Sequence, residues 1–186
     1  MSENQATRIR MTADEFSQLP QSQQPTELIN GELIVSPSPI DLHQDIVVNF
    51  VMFLGRVMDN GKVVVAPMDV YIDHINVLQP DVFWLAENSQ CINRDGYYYG
   101  APELTIEVHS PATSSRDRRE KFDTYEKHGV MEYWMVDPIG LHVEIWQRDG
   151  DRFKRLGIRK DNDDDAFESL ALGKQVQFRG IFPSLD

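Results

Sequence analysis

Short alternating runs of apolar and polar residues make up most of this chain, and two longer stretches change to helical spacing. Thr12-Ala13-Asp14-Glu15 has capping-box spacing and predicts a short helix, while Gln18 to Gln24 reads as a loop. In Glu27-Leu28-Ile29-Asn30-Gly31-Glu32-Leu33-Ile34-Val35, an Asn-Gly pair between apolar strands predicts a hairpin whose two turn residues take positive φ. Pro37 and Pro39 break that pattern. Leu42, Ile46, Val47, Phe50, Val51, Leu54 and Val57 then recur as one face of a long helix, which Asn60-Gly61 ends.

Lys62 to Ala66, Met68 to Ile72 and Asp81 to Ala86 read as strands, with Pro67 between the first two. Asn88 to Gly100 is polar and turn-rich, and its three consecutive tyrosines are expected to cover a sheet edge. Leu104 to Ser110 is a strand with Leu104, Ile106 and Val108 on one face and Thr105, Glu107 and His109 on the other. Pro111 closes it. Ser114-Ser115-Arg116-Asp117 opens a third helix running to about His128, with Gly129 as terminator. Glu132 to Asp137, Leu141 to Gln147 and Arg152 to Ile158 complete the strands. This order of elements predicts an α/β or α+β architecture, a mixed β-sheet flanked by helices and preceded by an N-terminal β-hairpin.

With 186 residues, 41% hydrophobic and 26% charged, the chain is expected to fold as one domain over residues 1–186, with 1–11 as a flexible tail. The apolar run around Ile46 to Leu54 is interrupted by Asn49 and is too short for a membrane span, so no membrane partner is expected. The N-terminus lacks the apolar core of a secretory signal and Cys91 is the only cysteine, which together point to the cytoplasm. A formal charge of −12 excludes a general nucleic-acid coat protein. Any DNA contact must be local and metal-assisted. The basic clusters Arg116, Arg118, Arg119, Lys121 and Arg148, Arg152, Lys154, Arg155, Arg159, Lys160 read as solvated faces.

Chemistry concentrates in three places. Asp81 follows Pro80 at the start of a strand, and Glu107 stands within a strongly apolar one. Asp117, Lys121 and Tyr125 share a helix face at i, i+4 and i+8. Two carboxylates on adjacent strands suffice for Mg²⁺, which keeps several waters and a substrate phosphate as further ligands. On spacing alone Glu107 is equally an ordinary outward residue, Asp81 a turn former, Asp117 a helix cap and Tyr125 a packing residue. Lys121 is suited to stabilise developing negative charge, or else to pair with Asp117. For His43, which opens the long helix, packing or hydrogen bonding is preferred to metal binding. Trp84, Trp134 and Trp146 read as core or interface aromatics.

Glu27-Leu28-Ile29-Asn30-Gly31-Glu32-Leu33, His43, Pro80-Asp81, Ala101 to Pro111, Asp117 with Lys121 and Tyr125, and Gly129 to Pro138 together resemble the Uma2 family of restriction endonucleases, over about Thr12 to Phe182. That family is similar to the PD-(D/E)XK nuclease superfamily. The resemblance implies a restriction-endonuclease-like core with a Mg²⁺ (or Mn²⁺) site held by Asp81 and Glu107, with Glu27 as an accessory acidic group. It implies DNA as substrate, a metal-activated water as nucleophile, and a homodimer with Tyr133, Trp134 and Trp146 at its interface. The chain departs from the superfamily pattern at His109, where the motif has lysine. Either His109 acts as a ligand or as a base with a pKa near neutrality, or Lys121 supplies the ammonium from the next helix, the reading favoured here. Two other functions compete. One is a catalytically inactive nuclease-like fold serving as a binding or assembly module, and the other is a hydrolase of small phosphate esters.

Overall fold

The computed structural model describes residues 10–20, 22–109, 115–161 and 164–183. The chain opens with α1 (Ala13–Ser17), whose Thr12 and Glu15 form the reciprocal capping box that the spacing predicts. The hairpin β1 (Thr26–Ile29) and β2 (Glu32–Val35) turns through Asn30 at φ 51° and Gly31 at φ 77°. Next comes α2 (Asp41–Val57). It stops before Gly61, where a Cβ would lie 2.5 Å from the Leu85 carbonyl oxygen, so only glycine fits that approach. Short strands follow in two groups. The first group is β3 (Lys62–Val65), β4 (Val70–Asp73), β5 (Asn76–Leu78) and β6 (Val82–Leu85). The second is β7 (Ile92–Arg94), β8 (Tyr97–Tyr99) and β9 (Leu104–Val108). Helix α3 (Ser115–His128) then leads into β10 (Glu132–Asp137), β11 (His142–Asp149), β12 (Arg152–Lys160), β13 (Phe167–Ser169) and β14 (Lys174–Val176).

The strands assemble into two six-stranded sheets, where the sequence pattern suggests one. The first has the order β2-β1-β5-β4-β8-β7, the second β12-β11-β10-β9-β6-β3, and β13 and β14 form a separate pair. Both large sheets are mixed, since β4 pairs parallel with β8 and β9 parallel with β10. A parallel neighbour requires a crossover, and α3 is the crossover between β9 and β10. The second sheet arises because the hairpins β1–β2, β4–β5 and β7–β8 join one another and do not extend the strands that carry Glu107.

Each face of the second sheet has its own cover. Ile106, Val108, Trp134, Val136, Val143 and Ile145 pack against α2 and the C-terminal Phe167, Phe178 and Ile181. On the opposite face, Tyr133 and Phe153 meet Tyr125 of α3 and Ile29 and Leu78 of the first sheet. Farther along, Phe83 and Leu85 meet Val70 and Tyr98. α1 covers the outer side of the first sheet through Phe16, Leu28 and Val77.

Three expectations change here. The polar, turn-rich segment 88–100 also holds the short strands β7 and β8, joined by a tight turn with Asp95 and Gly96 both at positive φ, and Tyr98 is buried at 2% exposure against Phe83 instead of covering an edge. Tyr133 and Trp134 are fully buried within the chain's own core, so they cannot act as dimer-interface aromatics, whereas Trp146 is half-buried. Lys121 is buried too, with only 12% of its side chain exposed, and leaves the basic cluster read as a solvated face. No helix among the described residues is long and apolar enough to cross a membrane.

Glu126 ties α3 to β12. Its buried carboxylate accepts the Phe153 N–H at 2.6 Å and Arg152 Nη1 at 2.9 Å. Burial pushes the carboxyl up, but the Phe153 N–H and the Arg152 guanidinium outweigh it and hold the carboxyl below its ordinary range. A depressed folded-state value means that the stabilisation is complete above the unfolded glutamate value of about 4.3 and fades as pH falls through the folded value. Glu126→Gln should therefore melt lower than wild type at pH 7, and the gap should shrink on acidification below about pH 4. Thermal melts across pH 3–7 (roughly the span of carboxylate titration) check this, and a constant gap would remove Glu126 as its source.

Candidate active site

Asp81 and Glu107 come together because β6 runs antiparallel to β9. Val82 is registered with Ile106 and Phe83 with Thr105, so Asp81, one residue before Val82, falls opposite Glu107. Side chains on directly opposed residues of adjacent strands are neighbours. Asp81 is fixed at both oxygens: Oδ2 accepts the Val108 N–H at 2.7 Å, and Oδ1 lies 3.1 Å from His43 Nε2 at the start of α2. His43 thus has the hydrogen-bonding position its place in the helix suggests. Burial pulls its imidazole down, but the hydrogen bond and charge of Asp81, with the charge of Glu107, raise it above its ordinary value.

Glu107 is buried at 6% exposure. Tyr125 donates its hydroxyl to Glu107 Oε1 at 2.7 Å, and Lys121 Nζ lies 3.1 and 3.0 Å from Oε1 and Oε2. The i,i+4 spacing on α3 aims Lys121 and Tyr125 at the same carboxylate. Lys121 also reaches Glu27 Oε1 at 2.8 Å. Glu27 lies on the face of β1 that it shares with Ile29, the side turned to the second sheet. Its Oε1 accepts the Gln79 N–H at 2.7 Å, and the Gln79 amide in turn donates to Asp69 Oδ1 at 2.6 Å.

The charges are unequal. One ammonium and one imidazole face the carboxylates of Glu27, Asp81 and Glu107. Burial raises the Glu107 carboxyl, Lys121 pulls it back and Asp81 and Glu27 add to the rise, which together leave it at about 7. For Lys121 burial acts in the opposite direction, but Glu107 and Glu27 overcome it and hold the ammonium well above its ordinary value. Lys121 is therefore a permanent cation and no general base. A carboxylate cluster that its own residues leave short of positive charge, made only of hard oxygen donors at Asp81 and Glu107, fits Mg²⁺ or Mn²⁺. No three His, Cys, Asp or Glu side chains among the described residues form a ready metal cage. A cation that keeps waters and takes a substrate phosphate needs only one or two carboxylates.

Of the residues singled out in the sequence, the structure gathers Glu27, His43, Asp81, Glu107, Lys121 and Tyr125. His109 stands apart. Its N–H donates to the Val136 carbonyl, and its Nε2 is buried without a hydrogen-bond partner among the described residues. Burial first, then Arg118 and Lys121, push its imidazole down to about 3, so it is neutral and lacks the near-neutral pKa expected of a base. Asp117 lies in the first turn of α3, where its side chain falls outside the described residues, as does the Ser114 cap. Sequence reasoning missed the Val108 N–H, Gln79 and Asp69 as supports for Asp81 and Glu27. Two of these contacts are backbone donors and carry no residue signature.

Residues 13–178 match the model of the Uma2 family, described as putative restriction endonuclease. The chain belongs to the Uma2 family. A crystal structure of a putative nuclease belonging to DUF820, from Anabaena variabilis, shares this fold with a TM-score of 0.75. It is 20% identical, and the alignment covers 92% of this chain and 97% of the other. No curated protein matches the chain. The Uma2 family is described as one of putative restriction endonucleases, which supports a nuclease, and the likeness to the Anabaena protein concerns the fold. The Uma2 match takes in every gathered residue from Glu27 to Tyr125.

Proposed function

We propose that this Uma2 protein is a metal-dependent endonuclease that hydrolyses DNA phosphodiester bonds, with Asp81 and Glu107 holding Mg²⁺ or Mn²⁺. The observation that carries this reading is the Lys121 ammonium, seated 3.0 Å from Glu107 and 2.8 Å from Glu27 beside the Asp81 carboxylate. When bound, the cation supplies charge neutralisation at the phosphate and a water acidified toward neutral pH.

The chain's own residues do the rest. The Val108 N–H and His43 pin Asp81, so that its carboxylate is oriented before substrate arrives. Tyr125 does the same for Glu107 from the helix side. Lys121, a compact permanent point charge, stabilises the extra negative charge that the phosphate gains during attack. It stands in position for the ammonium absent at His109. Glu27 keeps Lys121 oriented and is itself held by the Gln79 N–H.

Titration calorimetry tests the first requirement. The wild-type protein should bind Mn²⁺ and Mg²⁺, and Asp81→Asn should weaken the affinity by about 10-fold or more, the scale on which changes around a metal site act. Absence of any heat with either cation would overturn the metal-dependent reading.

A further inference from the structure

A second feature lies beside the acidic cluster and is not used by it. A cleft of about 450 Å³ is lined by Arg118, Arg119, Phe122, Met135, Glu144 and Trp146, together with Asp123. Sheet register fixes its place. Met135 pairs with Glu107 on one side and with Glu144 on the other, so the cleft floor begins one strand away from Glu107 and continues to β11. Glu144 is therefore two strand spacings from Glu107, roughly 10 Å. From above, Arg118 stands one helical turn before Lys121 on α3, which puts both on neighbouring parts of one helix face.

The charges in the cleft are not cancelled. Glu144 is engaged by Arg155 at 3.3 Å, and the Arg155 guanidinium lies over the Trp146 ring at 6.0 Å. Arg118 and Arg119 make no ion pair within 4.0 Å with any described residue, although the charge of Arg118 is felt at Asp137, and Asp123 is the other carboxylate on the cleft wall. In a chain of net charge −12, two neighbouring arginines with no ion pair among the described residues, set beside an acidic centre, mark a local site for an anion. Guanidinium forks match phosphate oxygens in geometry as well as in charge. The apolar floor of Phe122, Met135 and Trp146, with Phe122 packed edge-on to Trp146 at 4.8 Å, suits a sugar or base. The Trp146 Nε1 is buried, and it has no hydrogen-bond partner among the described residues.

We infer that this cleft is a nucleic-acid subsite, in which Arg118 and Arg119 bind the backbone phosphates next to the one being cut and so lead the strand across β10 and β11 to Glu107. The subsite rests on the nuclease reading and extends it from the cutting site to the strand that is held. It fixes where the polymer runs, and it gives the acidic chain a way to hold DNA without an overall basic surface.

The test is fluorescence anisotropy with a labelled DNA duplex and its single strand, over a salt series, in Ca²⁺ as a hard cation for the carboxylates. Wild type is compared with the double variant Arg118→Ala/Arg119→Ala, and with Arg10→Ala/Arg94→Ala, which removes the same charge from the first sheet. Both substituted pairs are surface or half-exposed, and a thermal melt confirms that each variant is folded. The expected result is affinity reduced about tenfold or more in the Arg118/Arg119 variant, with the slope of log K against log salt shallower by roughly two, about 0.9 for each phosphate that the variant no longer neutralises. The control pair should change affinity less than about twofold, the scale of a surface charge outside the site. Equal binding by wild type and the Arg118/Arg119 variant, or equal weakening in the control, overturns the subsite and leaves the nuclease reading standing. Failure of wild type to bind either DNA form overturns both. Loss of binding in the arginine variant of a protein that cuts no DNA would support the subsite and remove the catalytic reading.

Discussion

Glu107→Ala should abolish DNA cleavage, by on the order of 10³-fold or more, while the protein still folds. Glu107 is the carboxylate on which Tyr125, Lys121 and the opposed Asp81 converge, so its removal takes away a cation ligand and the anchor of the helix side chains. Folding survives because Lys121 keeps Glu27 as partner at 2.8 Å, and no buried ammonium is left alone. The site is also one where a charged carboxylate is poorly accommodated, since burial, with Asp81 and Glu27 added and Lys121 opposing, leaves its pKa at about 7. A group with a raised folded-state value stabilises below the unfolded value and loses that contribution as pH rises through the folded one. At pH 8 the native Glu107 therefore costs stability, and Glu107→Gln, which retains an oxygen for Tyr125, should melt no lower than wild type there. Cleavage assays with both variants, paired with thermal melts, check activity and folding separately. A folded Glu107→Ala protein with full activity would remove Glu107 from the mechanism.

Lys121→Ala should lose both activity and stability, the opposite stability outcome to Glu107→Gln. Without the ammonium, Glu107 and Glu27 stand buried beside Asp81 with no cation among their own contacts. Removing one member of a buried ion pair typically costs roughly 3–5 kcal/mol. Protonation of Glu107 relieves part of this, so about 3 kcal/mol is the expected loss at pH 8, and the loss should diminish toward pH 6. The rate of cleavage should fall by about 10²–10³-fold, the scale for loss of one charge-stabilising group at a reacting centre. Lys121→Arg separates the two effects. It keeps the charge and should recover much of the stability, but its planar fork cannot reproduce a point charge between Glu107 and Glu27, so cleavage should stay impaired. Urea melts and single-turnover rates measure these quantities. A Lys121→Ala protein as stable as wild type would show that the geometry around Glu107 and Glu27 carries no net pairing energy.

Much of this site was legible because local patterns happen to position it. Strand alternation puts Glu107 opposite in face to Ile106 and Val108, and helical spacing aligns Lys121 with Tyr125. The Asn30-Gly31 hairpin places Glu27 on the strand face turned to the second sheet. The departure at His109 was also legible, but its consequence was not. The end of β9 is so enclosed that the imidazole is neutral, and strand alternation says nothing about enclosure. The second sheet was hidden for a different reason. β5, β7 and β8 are three residues each, too short for a period to register, and the Asp95-Gly96 turn that joins β7 to β8 stood within a segment read only as polar and turn-rich. Tyr133 and Trp134 show the same limit, since an aromatic pair in an apolar strand reads alike whether it is covered by a partner or by α3 and α2. Gln79 acts through its backbone N–H, and no side-chain pattern announces that.

The most direct measurement is cleavage of supercoiled plasmid by the wild-type protein in Mg²⁺ or Mn²⁺ against EDTA, with branched and single-stranded DNA as further substrates and Glu107→Ala and Lys121→Ala alongside. Cation-dependent cutting of at least one substrate by wild type, lost in Glu107→Ala and strongly reduced in Lys121→Ala, is the predicted result. Cutting that persists in EDTA, or that both variants retain in full, would contradict it.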